Sequence, residues 1–497
     1  MPDDERDAQQ ALPLPEQAAD LEQEQPPRAQ RIFCNRNLRF DQIHSVGFDM
    51  DYTLAVYRQD AMDRISIEAT THKLIERGYP ESLRHVEVKP HFPIRGLLVD
   101  TRLGNVLKTD RYRYPKQAFH GGRELTGDER RRAYSTTRRI RPGNKRYHAI
   151  DTLYALSEVS IYAAAIDVLD SQEGKPDYAK LFADVRASID EAHQDGSIKD
   201  AIMRRPQDFV ERDPHLPAML HKLRSAGKHL FLLTNSGPQY TECLMSYLLD
   251  DARPEYSSWR GYFDATVVQA RKPAFFMKKA PFLRSDDHSA QVETLERDVI
   301  YEGGNIGDFE RMTGHGRLQV LYVGDHIYGD MLRAKKESSW RTLLVISELT
   351  DELAAADRFA EEIGRLRRLE QRHDALLDEQ RDGQVLLKAI QKRLDGLPNS
   401  EQPTELQAER VRLRRQVDRA KTQLKALHSE QGQLESELAH SVHPFWGSPF
   451  HTGSELSSFG EQVERYACLY TDRATNLVRY SPAHYFRGPR HRMAHDL

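Results

Sequence analysis

The fold of this chain is decided by the stretch Val46-Gly47-Phe48-Asp49-Met50-Asp51-Tyr52-Thr53-Leu54. Its first three residues end a short apolar run, which is the pattern of a buried strand. Asp49 and Asp51 follow at once, and such polar residues predict that the chain leaves the sheet here. In a parallel α/β sheet this exit is the carboxyl end of a strand, where ligands bind. Two like charges this close disfavour ionisation, so the pair predicts a cation between them, and oxygen ligands suit Mg²⁺.

The two carboxylates suit phosphoryl transfer, because one can attack phosphorus while the other handles protons. An isolated Asp-x-Asp is most often a solvated turn, so the whole string matters. Asp-x-Asp-x-Thr-Leu after an apolar strand resembles the first motif of the haloacid dehalogenase superfamily of phosphatases. The longer string from Gly47 to Tyr57, Gly-Phe-Asp-Met-Asp-Tyr-Thr-Leu-Ala-Val-Tyr, resembles one branch of it, the cytosolic purine 5'-nucleotidases.

The composition limits the function classes. At 497 residues the chain can bury a large core and form more than one structural unit. A net charge of −4 gives no general attraction to nucleic acid or to an anionic membrane. No apolar run reaches the ~18 residues of a transmembrane helix, and no secretory signal is visible. Three scattered cysteines, Cys34, Cys243 and Cys468, fit a reducing cytosol, so we expect a cytoplasmic protein without nucleic-acid or membrane partners.

Residues 229–233 form a second apolar run, which ends in Thr234-Asn235-Ser236. The preceding residues, 216–227, have helical spacing and a glycine stop, so helix and strand predict a parallel α/β crossover. The Thr234 hydroxyl and nearby backbone N–H groups are suited to bind phosphate oxygens. Thr234 and Asn235 are therefore candidate phosphate-binding residues.

Two further motifs follow in the order that the superfamily has. Lys272 matches the nucleotidase string Ala-Arg-Lys-Pro-x-Phe-Phe, where the resemblance implies a lysine that offsets the charge of a phosphorylated aspartate. A third apolar run, 320–323, leads into Gly324-Asp325 and then to Asp330. The resemblance makes Asp325 a metal ligand and Asp330 a supporting residue that holds the metal's water shell or Lys272. Gly324 is expected to permit a sharp turn at the strand tip.

The resemblance covers residues 31–350 and 441–495 with all four motifs in order. It implies an α/β fold, namely a doubly wound parallel sheet (a Rossmannoid core of the haloacid dehalogenase type) with an inserted α/β cap and a C-terminal helical hairpin. The predicted units are a disordered N-terminal arm (1–30), a catalytic core (31–59 and 215–350), a cap and substrate-specificity region (60–214), a coiled-coil helical hairpin (351–440) and a C-terminal segment that packs back on the core (441–497).

The resemblance also implies a two-step mechanism. Mg²⁺ is expected to be held by Asp49, Asp325 and the backbone carbonyl of Asp51. Asp49 is the predicted nucleophile and Asp51 the general acid and base, while Lys272 and Thr234 stabilise charge on the phosphoryl group. The implied substrate is a purine nucleoside 5'-monophosphate, with IMP or GMP preferred. The same intermediate would also allow phosphate transfer to a nucleoside.

The stretch 184–199 carries most of the predicted specificity residues. Arg186, Asp190 and His193 lie at i, i+4 and i+7 and so share one helical face, a spacing that alone favours a surface ion pair. The purine nucleotidases have a similar string, which implies that these three residues and Lys199 read the base and sugar, with Tyr154 as a stacking platform. The family commonly has an aromatic residue directly after this histidine, whereas this chain has glutamine.

Residues 351–440 are dominated by leucines at three- and four-residue spacing, with a break at 397–403. The pattern predicts two long antiparallel helices in a coiled-coil hairpin. Its expected role is oligomer contact or rigid packing, and relatives imply a homo-oligomer, either dimer or tetramer.

A basic run at 120–147 allows several interpretations. Nucleic acid is disfavoured, because no aromatic residues at stacking spacing accompany the arginines. A solvated face is favoured, and a site for an anionic nucleotide effector is the alternative. Relatives activated by ATP-like ligands also make Tyr328 and Lys336 candidates for an effector site, although Asp151 stands where relatives tend to have asparagine.

Two other functions stay open at this point. One is a phosphatase of the same superfamily that acts on another phosphomonoester, such as a sugar phosphate. The other is a nucleotide-sensing or scaffolding protein whose assembly depends on the helical hairpin. Intact Asp49, Asp51, Lys272 and Asp325 argue against lost catalysis.

Overall fold

The computed structural model describes residues 26–135, 140, 145–174, 176–287, 292–398 and 403–489. Residues 1–25 of the predicted arm lie outside the described residues, as do Arg138, Arg139 and Arg141 of the basic run.

The strands are, in chain order, β1 (Phe33–Cys34), β2 (Leu38–Arg39), β3 (Ser45–Phe48), β4 (Val56–Tyr57), β5 (Leu98–Asp100), β6 (Asn105–Thr109), β7 (Pro115–His120), β8 (Arg123–Glu124), β9 (Tyr147–Ala149), β10 (Val210–Glu211), β11 (His229–Leu233), β12 (Ala265–Val268), β13 (Phe282–Arg284), β14 (Ile300–Gly303), β15 (Val320–Gly324), β16 (Arg341–Val345), β17 (His451–Thr452), β18 (Glu455–Leu456), β19 (Leu469–Thr471) and β20 (Tyr485–Phe486). The α-helices are α1 (Gln59–Glu76), α2 (Gly127–Tyr134), α3 (Ala155–Asp170), α4 (Tyr178–Gln194), α5 (Lys199–Arg204), α6 (Pro206–Phe209), α7 (His215–Ser225), α8 (Pro238–Leu249), α9 (Ala274–Met277), α10 (Ile306–Thr313), α11 (Leu349–Arg358), α12 (Ala360–Asp395), α13 (Thr404–Val442) and α14 (Ser458–Tyr466).

The central sheet of the described chain has the strand order β1-β19-β16-β15-β3-β11-β12-β14-β13. The strands from β19 to β14 are parallel, and β1 and β13 are antiparallel edges. The chain starts in the middle at β3, continues through β11, β12 and β14 on one side, and returns to β15, β16 and β19 on the other. This reversal between β3 and β15 is the switch point of a doubly wound sheet, so the predicted fold class is confirmed.

Both faces of the central sheet are buried, which explains why its strands are continuous apolar runs. Along β11, Leu230 and Leu232 pack into one hydrophobic cluster, whereas Phe231 and Leu233 pack into a second. The same division continues along β15, where successive residues alternate between the two clusters. The sheet therefore lies in the middle of the core, with apolar layers above and below it.

The inserted cap lies between β3 and β11 in the chain. Its antiparallel sheet has the order β8-β7-β6-β5-β9, and α1, α3 and α4 pack on one another. Asp177 begins α4 by accepting hydrogen bonds from the backbone N–H groups of Ala179 and Lys180. The predicted α/β character of the cap is confirmed.

Helices α12 and α13 pack against each other as an antiparallel hairpin. The direction follows from three cross-helix hydrogen bonds, namely Arg365 to Glu430, Gln416 to Glu379 and Arg410 to Gln391. The residue numbers of the partners increase along α12 and decrease along α13, so the two helices run in opposite directions. The predicted helical hairpin is confirmed, and its coiled-coil geometry stays a prediction.

The chain returns to the central sheet after the hairpin, because β19 pairs with β16 on one side and β1 on the other. No helix in the described ranges has both the length and the apolar character needed to cross a membrane.

Gly47 in the middle of β3 shows how tightly the central strands pack. A Cβ atom at this position would lie 2.1 Å from a ring atom of Phe231 on the adjacent strand β11. Carbon atoms in contact are normally ~3.5 Å apart, so the absence of a side chain at Gly47 is a packing requirement.

We expect Gly47→Ala to destabilise the protein by about 1–3 kcal/mol, the usual range for overpacking a core. Urea unfolding at equilibrium measures this, with Gly432→Ala as the control, because a Cβ atom there meets nothing within 4 Å. The double variant Gly47→Ala/Phe231→Leu should lose less free energy of unfolding than the two single variants lose together, because the two substitutions affect the same contact. Unchanged stability of Gly47→Ala would contradict this packing.

Candidate active site

Neighbouring strand ends place three of the predicted site residues together. Asp49 directly follows β3, Thr234 directly follows β11, and Asp325 directly follows β15. Strand β3 lies between β11 and β15, and all three are parallel, so their carboxyl ends meet at one edge of the sheet. The Asp49 N–H donates to the Val323 carbonyl at 2.9 Å, which holds the ends of β3 and β15 level. This edge is also the switch point, where ligands bind in doubly wound sheets.

Asp49, Asp325 and Asp330 form a buried acidic cluster at this edge. One carboxylate oxygen from each residue lies within 4.8 Å of the others, and the three residues are 8%, 6% and 1% exposed. Carboxylate oxygens are hard ligands of the kind that Mg²⁺ prefers. The residues present therefore fit a divalent cation.

Asp330 reaches the cluster because the chain after β15 continues as π-helical turns over Ile327–Leu332 and Ala334–Ser338. A Cβ atom on Gly324 would lie 2.5 Å from Oδ2 of Asp330. The φ angle of Gly324 is not positive, so the expected sharp turn is not the reason for glycine here. The reason is space for the Asp330 carboxylate.

Lys272 is the cation of the acidic cluster. Its ammonium nitrogen lies 2.9 Å from Asp49 Oδ2 and 2.9 Å from Asp330 Oδ1, and it donates to the Tyr322 hydroxyl at 2.8 Å. An ammonium group has three N–H donors, so these three acceptors satisfy it completely. Burial lowers the pKa of Lys272, but Asp330 and Asp49 outweigh burial and raise it overall. Lys272 therefore remains charged although it is buried.

Two carboxyl groups of the acidic cluster, those of Asp49 and Asp325, are more easily protonated than an ordinary carboxyl group. Burial raises the pKa of Asp49 to about 7, with Lys272 opposing the shift and Asp330 adding to it. Burial also raises the pKa of Asp325, opposed mainly by the positive charge of Arg95. A cation bound among the three carboxylates would favour their ionised forms.

The side chain of Asp51 points to a different set of partners. The Tyr57 hydroxyl donates to its Oδ1 at 2.6 Å, and the Ser236 hydroxyl donates to its Oδ2 at 2.7 Å. Burial and the charge of Asp51 raise the pKa of Tyr57, so this phenol stays protonated and keeps donating. The predicted metal contact of Asp51 concerns its backbone carbonyl, and its carboxylate is free of the acidic cluster.

Thr234 and Asn235 lie in the loop that follows β11. Thr234 is buried, and its hydroxyl accepts a hydrogen bond from the Ser236 N–H at 3.1 Å. The Asn235 side chain accepts from the Lys272 N–H at 2.6 Å and donates to the Lys272 carbonyl at 3.1 Å. Both polar atoms of Asn235 therefore hold the backbone of the cluster's lysine, and phosphate binding by Asn235 stays a prediction.

An aromatic wall of Tyr52, Tyr57, Tyr154 and Tyr240 stands beside Asp51. The Tyr52 ring centroid lies 4.8 Å from that of Tyr57 and 4.9 Å from that of Tyr154. The Tyr240 hydroxyl lies 2.9 Å from the Tyr57 hydroxyl, and because Tyr57 donates to Asp51, Tyr240 is the donor in this pair. The wall therefore places aromatic rings beside the predicted general acid, which Tyr57 contacts directly.

The aromatic wall also contacts two of the predicted specificity residues. The His193 ring is perpendicular to that of Tyr154, with the centroids 5.8 Å apart. The ammonium nitrogen of Lys199 lies 5.9 Å from the centroid of the Tyr240 ring. The structure thus brings Tyr154, His193 and Lys199 to the aromatic wall beside Asp51, from the start of α3, from α4 and from α5, which are successive elements of the cap.

Arg186 is held by two partners on the cap. Its Nε lies 3.5 Å from Oε2 of Glu158 on α3, and its Nη1 lies 3.0 Å from Nε2 of His148 on β9. Burial raises the pKa of Glu158 to about 7, opposed by Arg186 and reinforced by Asp190. Burial and Arg186 lower the pKa of His148 to about 4, so His148 is neutral near pH 7 and can accept from Arg186. Asp190 lies one turn further along α4 and is exposed.

Comparison with known proteins agrees with this geometry. A family model described as the 5' nucleotidase family matches residues 32–497. The chain belongs to the 5' nucleotidase family. The resemblance inferred from the four motifs is therefore confirmed, and so is the prediction of a phosphoric monoester hydrolase family.

Several relatives in the 5' nucleotidase family are similar over long stretches. A 5'-nucleotidase domain-containing protein of Dictyostelium discoideum is 28% identical over 463 residues, which cover 91% of this chain and 72% of that protein. The human 5'-nucleotidase domain-containing protein 2 is 30% identical over 341 residues, covering 65% of this chain and 64% of the human protein. The rat protein of the same name is 31% identical over 341 residues and is covered to 60%. The chain therefore spans less than two thirds of the human and rat proteins.

Two solved structures are also similar, with low TM-scores. A predicted phosphoglycolate phosphatase from Haemophilus somnus gives a TM-score of 0.26 at 12% identity, covering 61% of this chain and 85% of its own. CbbY from Rhodobacter sphaeroides, solved with phosphate, gives a TM-score of 0.24 at 14% identity, and the match covers 61% of this chain and 86% of the CbbY chain. Scores this low carry no argument, and the fold rests on the strand order described above.

This member of the 5' nucleotidase family also has site residues that the sequence did not reveal. They are Tyr57, Ser236, Tyr240, Tyr322 and Glu158. Tyr57 and Ser236 lie within or beside the quoted motifs, so their nearness in sequence was an available signal. Tyr322 lies in the apolar run that leads to Asp325, and Tyr240 and Glu158 lie on α8 and α3, outside the quoted motifs.

The candidate effector residues lie on the π-helical turns. Arg333 donates to the Tyr328 hydroxyl at 2.7 Å, and its guanidinium lies 5.1 Å from the centroid of the Tyr328 ring. Lys336 is exposed one turn further on. Burial raises the pKa of Asp151, opposed by the charges of His326 and Arg113, which favours its neutral form. Effector binding at these residues stays a prediction.

Glu158 gives a pH-dependent prediction. Its pKa of about 7 in the folded protein lies above the 4.5 of the unfolded chain, so the folded state binds the proton more tightly. This contribution to stability is present below pH 4.5 and is lost as the pH rises through 7. Between pH 5 and pH 8, we expect the free energy of unfolding of Glu158→Gln to rise relative to that of the wild type by about 2–3 kcal/mol. This is an upper bound, taken from about 1.36 kcal/mol per pKa unit.

Urea unfolding of both proteins at pH 5 and pH 8 measures this difference. The comparison removes contributions that the two proteins share. The control is Glu173→Gln, because Glu173 is exposed in the turn that follows α3. Its free energy of unfolding should match that of the wild type at both pH 5 and pH 8. Parallel profiles for Glu158→Gln and the wild type would show that this carboxyl does not titrate abnormally.

Proposed function

We propose that this protein is a Mg²⁺-dependent 5'-nucleotidase that hydrolyses purine nucleoside 5'-monophosphates, with IMP and GMP preferred, through an aspartyl-phosphate. The observation that carries the proposal is the triple contact of the Lys272 ammonium with Asp49, Asp330 and Tyr322 at the switch point of the sheet. It places a fixed positive charge on a buried carboxylate that can act as a nucleophile. Membership of the 5' nucleotidase family supports the reaction class.

In the first step, Oδ of Asp49 attacks the phosphorus atom in line with the leaving oxygen. A bond forms between Asp49 and phosphorus while the bond from phosphorus to the 5' oxygen breaks. Asp51 gives its proton to the leaving 5' oxygen, so the nucleoside departs neutral. The Tyr57 and Ser236 hydroxyls, 2.6 and 2.7 Å from the Asp51 oxygens, keep that carboxyl in place.

In the second step, the Asp51 carboxylate takes a proton from water, which attacks the phosphorus of the aspartyl-phosphate. The bond between phosphorus and Asp49 breaks, inorganic phosphate leaves, and both carboxyl groups return to their starting forms. A nucleoside hydroxyl could take the place of water, and this substitution would give phosphotransferase activity.

Asp49, Asp325 and the backbone carbonyl of Asp51 would hold Mg²⁺, and Asp330, which is 2.9 Å from the Lys272 ammonium, would support the site. When bound, the ion polarises phosphoryl oxygens and neutralises charge on the phosphate. The positive charge of Lys272 and the Thr234 hydroxyl would stabilise negative charge on the phosphoryl oxygens. Lys272 is held by Asp49, Asp330 and Tyr322 before substrate arrives, so its charge is already in place.

The purine preference rests on the donors and acceptors of α4. Arg186 offers only N–H donors, which suits the O6 and N7 acceptors of hypoxanthine and guanine. Asp190 accepts, which suits the N1–H that these two bases have and adenine lacks. His193 and Tyr154, whose rings are 5.8 Å apart, offer ring surface to a base, and Lys199 is available to the sugar.

Asp49→Asn tests the nucleophile. We expect turnover to fall by roughly ten-thousandfold or more, as when other enzymes lose a nucleophile, with the unfolding midpoint little changed. Phosphate release from IMP with Mg²⁺ and with EDTA is the measurement. Asp41→Asn, exposed at the other end of β3, is the matched control and should keep full activity. Retained activity in Asp49→Asn would refute the mechanism.

Arg186→Met tests the substrate. We expect kcat/KM for IMP and GMP to fall on the order of tenfold to a hundredfold, from the ~1.5–3 kcal/mol of a hydrogen bond to a charged group. A panel of nucleoside 5'-monophosphates and sugar phosphates is the measurement. The control is Arg77→Met, which contacts Ser188 and Glu191 on the same helix from another side. If a sugar phosphate is consumed and no nucleotide is, the proposed aspartyl-phosphate mechanism still holds, but the proposed purine nucleotide substrate is wrong.

Four further expectations stay predictions of this proposal. They are a homo-oligomer formed through the hairpin, a nucleotide effector near Tyr328 and Lys336, a cytoplasmic location, and the absence of nucleic-acid and membrane partners. The three cysteines are free in the structure, which is compatible with a reducing compartment.

A further inference from the structure

Arg95 is a completely buried arginine that the mechanism does not use. It lies in the cap segment just before β5, and its side chain has no exposed surface. Its Nε donates to Glu348 Oε1 at 2.8 Å and its Nη2 to Glu348 Oε2 at 2.5 Å. Its Nη1 donates to the backbone carbonyl of Asp325 at 2.7 Å. One planar guanidinium thus bonds a core carboxylate and the main chain of a proposed metal ligand at the same time.

The surroundings of Arg95 fix its position. Glu348 follows β16 and directly precedes α11, and the Phe459 ring centroid lies 5.5 Å from the Arg95 guanidinium carbon. Burial raises the pKa of Glu348, but the pairing with Arg95 outweighs burial and lowers it overall, so the ion pair persists. A forked, always-charged guanidinium is the side chain that can hold two acceptors in one plane.

We propose that Arg95 is a positioning residue of the metal site, which orients Asp325 from the cap side by fixing its backbone carbonyl. The inference rests on the proposed function, because it assumes that Asp325 is a metal ligand. Partners that orient metal ligands in this way are typically worth ten- to a hundredfold in metal affinity. Arg95 belongs to the cap segment, while Asp325 and Glu348 follow adjacent core strands. Mg²⁺ affinity therefore depends on how the cap sits on the core.

Arg95→Lys is the first test, since lysine keeps the charge beside Glu348 but cannot hold both acceptors with one fork. The double variant Arg95→Met/Glu348→Met is the second, because a buried ion pair replaced by apolar residues of similar size often folds as well or better. Isothermal titration with Mg²⁺ in the absence of substrate is the main measurement. The expected result is a Mg²⁺ Kd raised about tenfold or more in both proteins.

A matched control is available in the cap sheet. Arg146 donates to both carboxylate oxygens of buried Asp100, at 2.9 and 2.6 Å, in the same forked geometry. Arg146→Lys should leave the Mg²⁺ Kd unchanged. In kinetic measurements on the Arg95 variants, kcat should recover to within about threefold of the wild type once Mg²⁺ saturates the site.

Mg²⁺ Kd values equal to the wild type in the folded Arg95→Lys protein and in the folded double variant would overturn the proposal. If the double variant does not fold, Arg95→Lys alone decides. Asp325→Asn separates this inference from the function it rests on. Normal Mg²⁺ binding and turnover in Asp325→Asn would refute the metal site itself. Lost Mg²⁺ binding in Asp325→Asn, with normal binding in the Arg95 variants, would refute only the role of Arg95.

Discussion

The structure depends on one buried charge balance. Asp49, Asp325 and Asp330 can carry three negative charges within a region only 4.8 Å across, and Lys272 supplies one positive charge in contact with two of them. Arg95 is close by, but Glu348 already balances it. Full ionisation therefore leaves an excess of about two negative charges, which the apolar interior disfavours. Without a metal, protons must reduce that excess, and the pKa of about 7 for Asp49 agrees with this balance.

The sheet topology makes such a concentration of charge possible. Parallel strands deliver their following residues to a common edge, and the reversal between β3 and β15 opens a crevice there. Strand pairing then sets the distances, since the Asp49 N–H bonds Val323 and the ends stay level. Burial of the apolar residues of β3, β11 and β15 stabilises the sheet on both faces. This stabilisation offsets the unfavourable burial of the polar residues at the strand ends.

Sequence reasoning succeeds where the chemistry is local. Asp49, Thr234 and Asp325 each directly follow an apolar run. The strand, the point where the chain leaves the sheet and the polar side chain can therefore be predicted from one short stretch of sequence. Lys272 follows its strand by a short loop and was found through the order of motifs. The run at 229–233 and the helix before it predicted a parallel α/β crossover, whereas the doubly wound sheet was implied by the resemblance.

The contacts that the sequence could not reveal join residues far apart in the chain. Arg95 bonds Asp325 across 230 positions and Glu348 across 253, and neither bond leaves a periodic pattern. Tyr322 reads as an ordinary apolar strand residue, yet its hydroxyl completes the coordination of the Lys272 ammonium. Gly324 was expected to make a turn, whereas it makes room for a carboxylate six residues later. Each of these depends on tertiary geometry that spacing does not encode.

Under the proposed function, a purine base has to compete with contacts that Arg186 already makes in the cap. Arg186 is shared between Glu158, 3.5 Å away, and neutral His148, so a purine must offer acceptors at least as good as these. An O6 carbonyl can do so, whereas the 6-amino group of adenine presents donors to a donor. Displacing Arg186 from Glu158 would also leave a buried carboxyl that is most stable when protonated. Under the proposed function, the base therefore has to offset both the lost contact between Arg186 and Glu158 and the burial of the Glu158 carboxyl.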